Sequence, residues 1–253
     1  MSLVKKNIAK ALAAKVGQTA SISTATENTA SSSVQPLNAS TTNVDHARDK
    51  IMKDFDMYKI GIESDLAQLK QFSDLEQKHQ YKREVLANNG YLEYIEEYQK
   101  CGANHPNLVL AWVFVWLVDL QRWNKVLELL PLMAEQQQPL PTKFNTKHWG
   151  TFVIDQLYDV GAALLEKSPK HTDVFPIIRP FYVLIELCEL NKWDVNDIVK
   201  GKLYAMAGKL EHKRFNFGSA LHHYVSATQI NDKAGVKKVA KDLAKQLNIE
   251  IEI

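Results

Sequence analysis

Beyond residue 46, apolar side chains recur at every third or fourth position, the period of helices that bury one face. Ile51, Phe55, Tyr58, Ile62, Leu69 and Phe72 fall at spacings of four, three, four, seven and three. That is close to a heptad seam and predicts a long helix over about 47–72. Gly61 weakens it, and Asp65 stands in the seam where a leucine would pack best. The seam suits self-association and packing against the body of its own chain equally well. Ser73 and Asp74 then cap a second helix, which the run Asn88-Asn89-Gly90 ends.

From Tyr91 onward helix follows helix, with breaks at Cys101-Gly102, Gln121-Arg122, Pro139 to Pro141, Ser168-Pro169 and Asn191-Lys192. No alternating strand of useful length precedes the tail, so the expected class is all-α. Leu108–Leu120 and Trp123–Met133 form one antiparallel hairpin; Lys202–Glu211 and Phe217–Gln229, joined through Arg214, Phe215 and Asn216, form another. The second resembles a tetratricopeptide unit: Tyr204, Ala207-Gly208, Ala220, Tyr224 and Ala227 place small residues at the helix crossing and aromatics beside it. One such unit cannot bury both faces, so stacking against other hairpins is implied. The expected architecture is a long N-terminal helical segment followed by stacked tetratricopeptide-like hairpins.

The two ends depart from this pattern. Val4, Ile8, Leu12 and Val16 would lie on one stripe of a helix, with Lys5, Lys6, Lys10 and Lys15 elsewhere on it. This basic amphipathic arm is no secretory signal, because Lys10 and Lys15 interrupt the apolar stretch, although its lack of acids before Glu27 leaves an organelle presequence open. Gln18 to Asn43, mostly Ser, Thr, Ala and Asn, has too little apolar surface to offset the entropy of ordering and is expected to be a disordered linker. The expected divisions are a disordered basic arm and linker (1–45), a long helical segment for oligomerisation or DNA binding (46–90), the hairpin body (91–231), and a basic C-terminal helix with a short tail (232–253). In that last helix Val236, Val239, Ala240, Leu243 and Leu247 form the packing stripe. Ile249, Ile251 and Ile253 alternate with Glu250 and Glu252, a period of two that suits a short strand. Copies of that strand could close a small barrel between subunits, though a frayed terminus explains the pattern as well.

Length and charge narrow the chemistry. A chain of 253 residues can bury a substantial core without disulfides, and its two cysteines, Cys101 and Cys188, form neither a redox pair nor a zinc ribbon. No apolar run reaches the ~18 residues of a membrane span, so no membrane partner is expected. The net charge of +2 hides an uneven distribution: residues 198–248 carry ten basic residues against three acids, the arm adds four lysines, and the middle is acidic. Two basic ends suit an anionic partner, nucleic acid or a membrane surface without a choice between them, and from charge alone a solvated charged surface explains them better. Lys237, Lys238 and Lys241, with Lys245, lie off the packing stripe of the last helix; Lys209, Lys213 and Arg214 come from the preceding hairpin. Together they could track phosphates without reading bases.

No nucleophile elbow, P-loop or dinucleotide fingerprint is present. His222 and His223 project about 100° apart on a helix and cannot easily share a metal, with or without His212. Asp155 and Asp159 share a helical face, and Asp197 with Glu211-x-Lys213 spells the loose letters of a metal-dependent nuclease. That nuclease arrangement needs adjoining strands, so chance explains the letters better. The expectation is no catalytic residue, no metal and no cofactor.

Several stretches carry a resemblance. Lys82-Arg83-Glu84, the helix Tyr91 to Tyr98, the Leu108–Leu120 and Trp123–Met133 pair, Pro139-Leu140-Pro141, and Ser219-Ala220-Leu221…Ala227-Thr228-Gln229…Ala234-Gly235-Val236-Lys237-Lys238 are similar to the small terminase subunit of temperate tailed phages of the coliphage P-two group, the M-protein type. The similarity covers roughly residues 47–248. Such proteins often carry a long basic C-terminal tail; this chain has Ile249-Glu250-Ile251-Glu252-Ile253 instead, so contacts made by that tail do not transfer. The resemblance implies a ring-forming multimer in the bacterial host cytoplasm. It would bind double-stranded phage DNA at the packaging site, recruit the large ATPase and nuclease subunit, and regulate cutting. On the residues themselves two alternatives stay open: a metal-dependent endonuclease subunit, as such proteins are sometimes labelled, and a helical-repeat adaptor that binds only proteins.

Overall fold

A computed structural model describes residues 39–141, 148–168, 170–190 and 195–253, with side chains from residue 49 onward. Lys5, Lys6, Lys10 and Lys15 therefore lie outside the described residues, as does most of the linker. Thr41–Ile253 form one compact unit.

Ten α-helices and one 3-10 turn make up the described residues, and no strand occurs among them. In chain order they are α1 (Ala39–Leu69), α2 (Leu75–Asn88), α3 (Tyr91–Lys100), α4 (Leu108–Asp119), α5 (Trp123–Glu135), α6 (Trp149–Lys167), the 3-10 turn His171–Val174, α7 (Phe175–Glu189), α8 (Asp197–Lys213), α9 (Phe217–Ile230) and α10 (Lys237–Leu247). Side-chain caps set several starts: Asp74 Oδ2 accepts from Gln77 N at 2.9 Å, Asn107 Oδ1 from Leu110 N at 3.0 Å, and Asn196 Oδ1 from Val199 N at 3.0 Å. The fold is all-α, built from stacked helical hairpins.

At its centre is α4, whose sequence LVLAWVFVWLVD is apolar all round; nine of its residues from Val109 to Val118 are buried, so neighbours cover it on every side. One continuous apolar core runs from Ile51 through α4 and α7 to Ala244. The α8–α9 pair is the most closely packed, for a simple reason. A Cβ added at Gly208 would stand 2.6 Å from the Tyr224 ring and 3.3 Å from the Ala220 carbonyl oxygen. Glycine lets the two helices cross with Tyr224 wedged against the bare backbone, the small-residue arrangement expected of a tetratricopeptide-like hairpin.

The structure revises several expectations. Helix α1 begins at Ala39, inside the stretch read as linker, so its N-terminal turns precede the 45/46 division. Its seam is used within the chain: Ile51, Ile62 and Leu69 are buried, and Phe55, Tyr58 and Phe72 pack on the same core. The Tyr58 ring lies tilted at 4.7 Å from Tyr94 of α3 and Phe55 meets His105 edgewise at 4.9 Å, so these six residues are an internal contact rather than a free oligomerisation face. Within the chain, residues 249–253 form no strand; Ile251 and Ile253 pack on its core and Ile249 is exposed. In α10 itself Val239 is exposed and Ala244 takes its place in the buried stripe.

Asp65 turns out to be a junction rather than a flaw in the seam. It is buried and accepts hydrogen bonds from the hydroxyls of Tyr81 (2.7 Å) and Tyr91 (2.6 Å) and from Asn89 Nδ2 (3.2 Å). Gly61 makes room, since a Cβ there would meet the Tyr91 hydroxyl at 2.9 Å.

Candidate nucleic-acid interface

The C-terminal basic residues sit on α8, at its C-cap and on α10, and their surroundings separate them into two groups. Helix α10 buries Ala240, Leu243 and Ala244 against α9. At 100° per residue this confines Lys237, Lys241, Lys245 and Lys238 to one flank. All four are exposed, and none forms an ion pair with a described residue. Lys209 is also exposed, on α8. By contrast Lys213 donates to the Ser168 carbonyl, and Arg214 is held between Glu211 Oε1 at 3.2 Å and the Phe175 ring at 4.8 Å. Lys213 and Arg214 thus have structural partners, whereas the α10 lysines face water with their charge unneutralised.

The acids with nuclease-like spacing separate in the same way. Asp155 pairs with Lys202 at 3.7 Å on the surface, a contact of small energetic weight, and Asp159 is exposed. Glu211 lies fully buried one turn from the end of α8, where its Oε1 accepts from the Tyr182 hydroxyl at 2.9 Å. Its Oε2 has no partner. Among the described residues no three His, Cys, Asp or Glu side chains are grouped as metal ligands would be.

Tyr182 also meets a histidine whose burial the sequence did not reveal. His223 of α9 is buried, with both ring nitrogens unpartnered, 5.3 Å from the Tyr182 ring and 6.0 Å from that of Tyr204. Burial, reinforced by neighbouring His222, pushes its pKa down to about 4, so it is neutral near pH 7. Burial and the bond to Glu211 raise the pKa of Tyr182, which therefore donates as a neutral phenol. This interior is polar but holds no cation that could reach DNA.

A half-open cleft of about 510 Å³ lies between α2, the end of α4 and α6. It is lined by His79, Lys82, Asp119, Asp159 and Lys167 among others, and Lys82 pairs with Asp119 at 2.7 Å across it. Opposed charges of both signs make it a poor cradle for a polyanion. Among the described residues no helix is long and apolar enough to cross a membrane.

A family model described as "Phage small terminase subunit" matches residues 59–197, more than half of the chain, from the middle of α1 to the first residue of α8. The α10 lysines lie beyond the matched range. The "Probable terminase, endonuclease subunit" of Haemophilus phage HP1 (strain HP1c1) is 24% identical over 208 residues, covering 77% of this chain and 71% of the relative. No solved structure matches. The helical core that the family model spans makes this chain a member of the phage small terminase subunit family.

Proposed function

We propose that the chain is the DNA-engaging, multimeric small subunit of a terminase of the P-two group, M-protein type. In the bacterial host cytoplasm it would hold the packaging-site region of double-stranded phage DNA and recruit the large ATPase and nuclease subunit. The observation that carries the DNA contact is the flank of Lys237, Lys238, Lys241 and Lys245 on α10, exposed and unpaired while the opposite face of the helix is buried. Lysines one turn apart are about 6 Å from one another along the helix, close enough to follow successive phosphates. Lys209 extends the site on α8, and the arm residues Lys5, Lys6, Lys10 and Lys15 are its second element. Lys213 and Arg214, held by Ser168, Glu211 and Phe175, contribute less.

Each neutralised phosphate releases counterions, so log K should fall with log salt by about 0.9 per contact. Alanine at Lys237, Lys238 and Lys241 is expected to lower duplex affinity and to reduce that slope by about 2–3, and deletion of residues 1–38 to reduce it further. If neither change moves affinity or slope, the site is wrongly assigned.

A second reading follows from the relative's printed name, which makes it an endonuclease subunit. Its acids would be Asp155, Asp159 and Glu211, yet here Asp155 serves Lys202 and Glu211 serves Tyr182 and Arg214. We therefore assign cleavage to the large subunit. The purified chain is expected to leave DNA intact with magnesium or manganese; cleavage abolished by Asp155→Ala or Asp159→Ala would establish the nuclease instead.

A further inference from the structure

Two surfaces of the described residues expose large apolar side chains in company with charge, and their charges are opposite. The first surrounds the turn between α8 and α9. Phe215 closes that turn at φ 63° and is 65% exposed. Its ring lies tilted at 5.4 Å from that of His171 and edgewise at 6.2 Å from Phe217; His171 in turn meets Phe175, whose ring lies under Arg214 at 4.8 Å. One turn along α7, Arg179 is exposed without an ion-pair partner among the described residues, and Tyr182 is exposed beyond it. Aromatic rings and arginines in one contiguous patch have the composition of an interface centre.

The second surface is the face of α1 opposite the buried seam. Met52, Met57 and Ile60 are exposed there, Ile60 to 68%. Asp49, Asp56 and Glu63 follow one another at intervals of seven along the same face. All three are exposed, and none pairs with a described cation; of the two exposed lysines among them, Lys50 pairs with Glu97 at 3.2 Å, which leaves Lys53. The stretch from Asp56 to Glu63 spans about 10 Å of helix, the same length as Phe175 to Tyr182 on α7. An isolated exposed leucine or methionine needs no explanation, but two such patches with complementary charge on one chain do.

We propose that the outer face of α1 in one copy of this chain docks on the Phe175–Arg179–Phe215 surface of a second copy, with Met57 and Ile60 against the aromatic rings and Arg179 between Asp56 and Glu63. The contact joins two different surfaces, so each subunit keeps one of each free for the next neighbour. Contacts of that kind generate a closed ring when the rotation between subunits closes, and a filament when it does not. It leaves the α10 lysines out of the interface and available to DNA. This rests on the multimeric reading above and gives it a surface.

The test is sedimentation of the full chain over a dilution series, with circular dichroism as the check on folding. Phe175→Ala with Phe215→Ala, and separately Ile60→Asp, are expected to raise the half-dissociation concentration about tenfold or more. Arg179→Glu, a surface charge change that threatens no packing, is expected to do the same. Combining it with Asp56→Arg and Glu63→Arg restores assembly, because in a head-to-tail contact both changes meet at every interface. A wild type that is multimeric and variants that dissociate at the same concentration would overturn the docking and leave the multimer standing. A monomeric wild type would instead overturn the multimeric reading itself. If Phe175→Ala/Phe215→Ala leaves the mass unchanged but weakens binding of single-stranded oligonucleotides, the patch is a base-stacking platform and the proposal falls.

Discussion

Asp65 and Glu211 are both buried carboxylates on long helices, and they are housed in opposite ways. Asp65 uses both oxygens, accepting from Tyr81, Asn89 and Tyr91, and so fastens α1 to the start of α3 and the middle and end of α2. Glu211 uses one oxygen, for Tyr182 and Arg214, and leaves the other without a hydrogen bond among the described residues; Tyr182 also meets the ring of His223, whose nitrogens have none either. A fully satisfied buried acid acts as a clamp, because removing it strands every donor around it. A half-satisfied one carries a desolvation cost that its bonds only partly offset. The N-terminal helices should therefore depend heavily on their acid, and the C-terminal hairpin should depend on its close apolar packing.

The largest expected effect is Asp65→Leu, which leaves two phenols and an amide without their acceptor; urea unfolding should show a loss of about 3–5 kcal/mol. A loss under about 1 kcal/mol would mean that water replaces the carboxylate and that the clamp is not one. Next is acid sensitivity of the hairpin. The folded pKa of His223, about 4, lies below the usual 6.5, so between those values the unfolded chain takes up a proton that the folded chain refuses. Stability is thus full above pH 6.5 and falls as pH drops toward 4, by about 3 kcal/mol from this residue. Melting curves from pH 7.5 to 4 should show that His223→Leu loses less over this window than the wild type. Parallel loss in both proteins would mean that His223 is protonated without cost.

Gly208→Ala should cost about 1–3 kcal/mol by forcing Tyr224 out of contact with the α8 backbone, where the space is 2.6 Å. The smallest effect separates the two acids most sharply. Glu211→Leu should change stability by less than about 1 kcal/mol, since Arg214 and Tyr182 reach water once released. If its cost approached that of Asp65→Leu, the contrast between the regions would disappear.

Some of this was legible in the residues alone. The unbroken apolar run from Leu108 to Val118 could be nothing but a helix covered on all sides, because no other element of that length buries every position. Asp74 marked a helix start, and Gly208 opposite Ala220 and Tyr224 marked a close crossing; each follows from local sterics or hydrogen bonding. The period of α1 located its buried face, yet periodicity says only that a face is covered, and the fold decided that α3 and its own core cover it. Asp65 read as a flaw because its partners lie 16, 24 and 26 residues away on other elements, beyond any local pattern. Charge counting placed Lys213 and Arg214 with Lys237, Lys238 and Lys241, since a sequence shows how many cations a segment has. Whether each is neutralised depends on distances of a few ångströms to Ser168, Glu211 and Phe175, and only the packing of α6, α7 and α8 sets those.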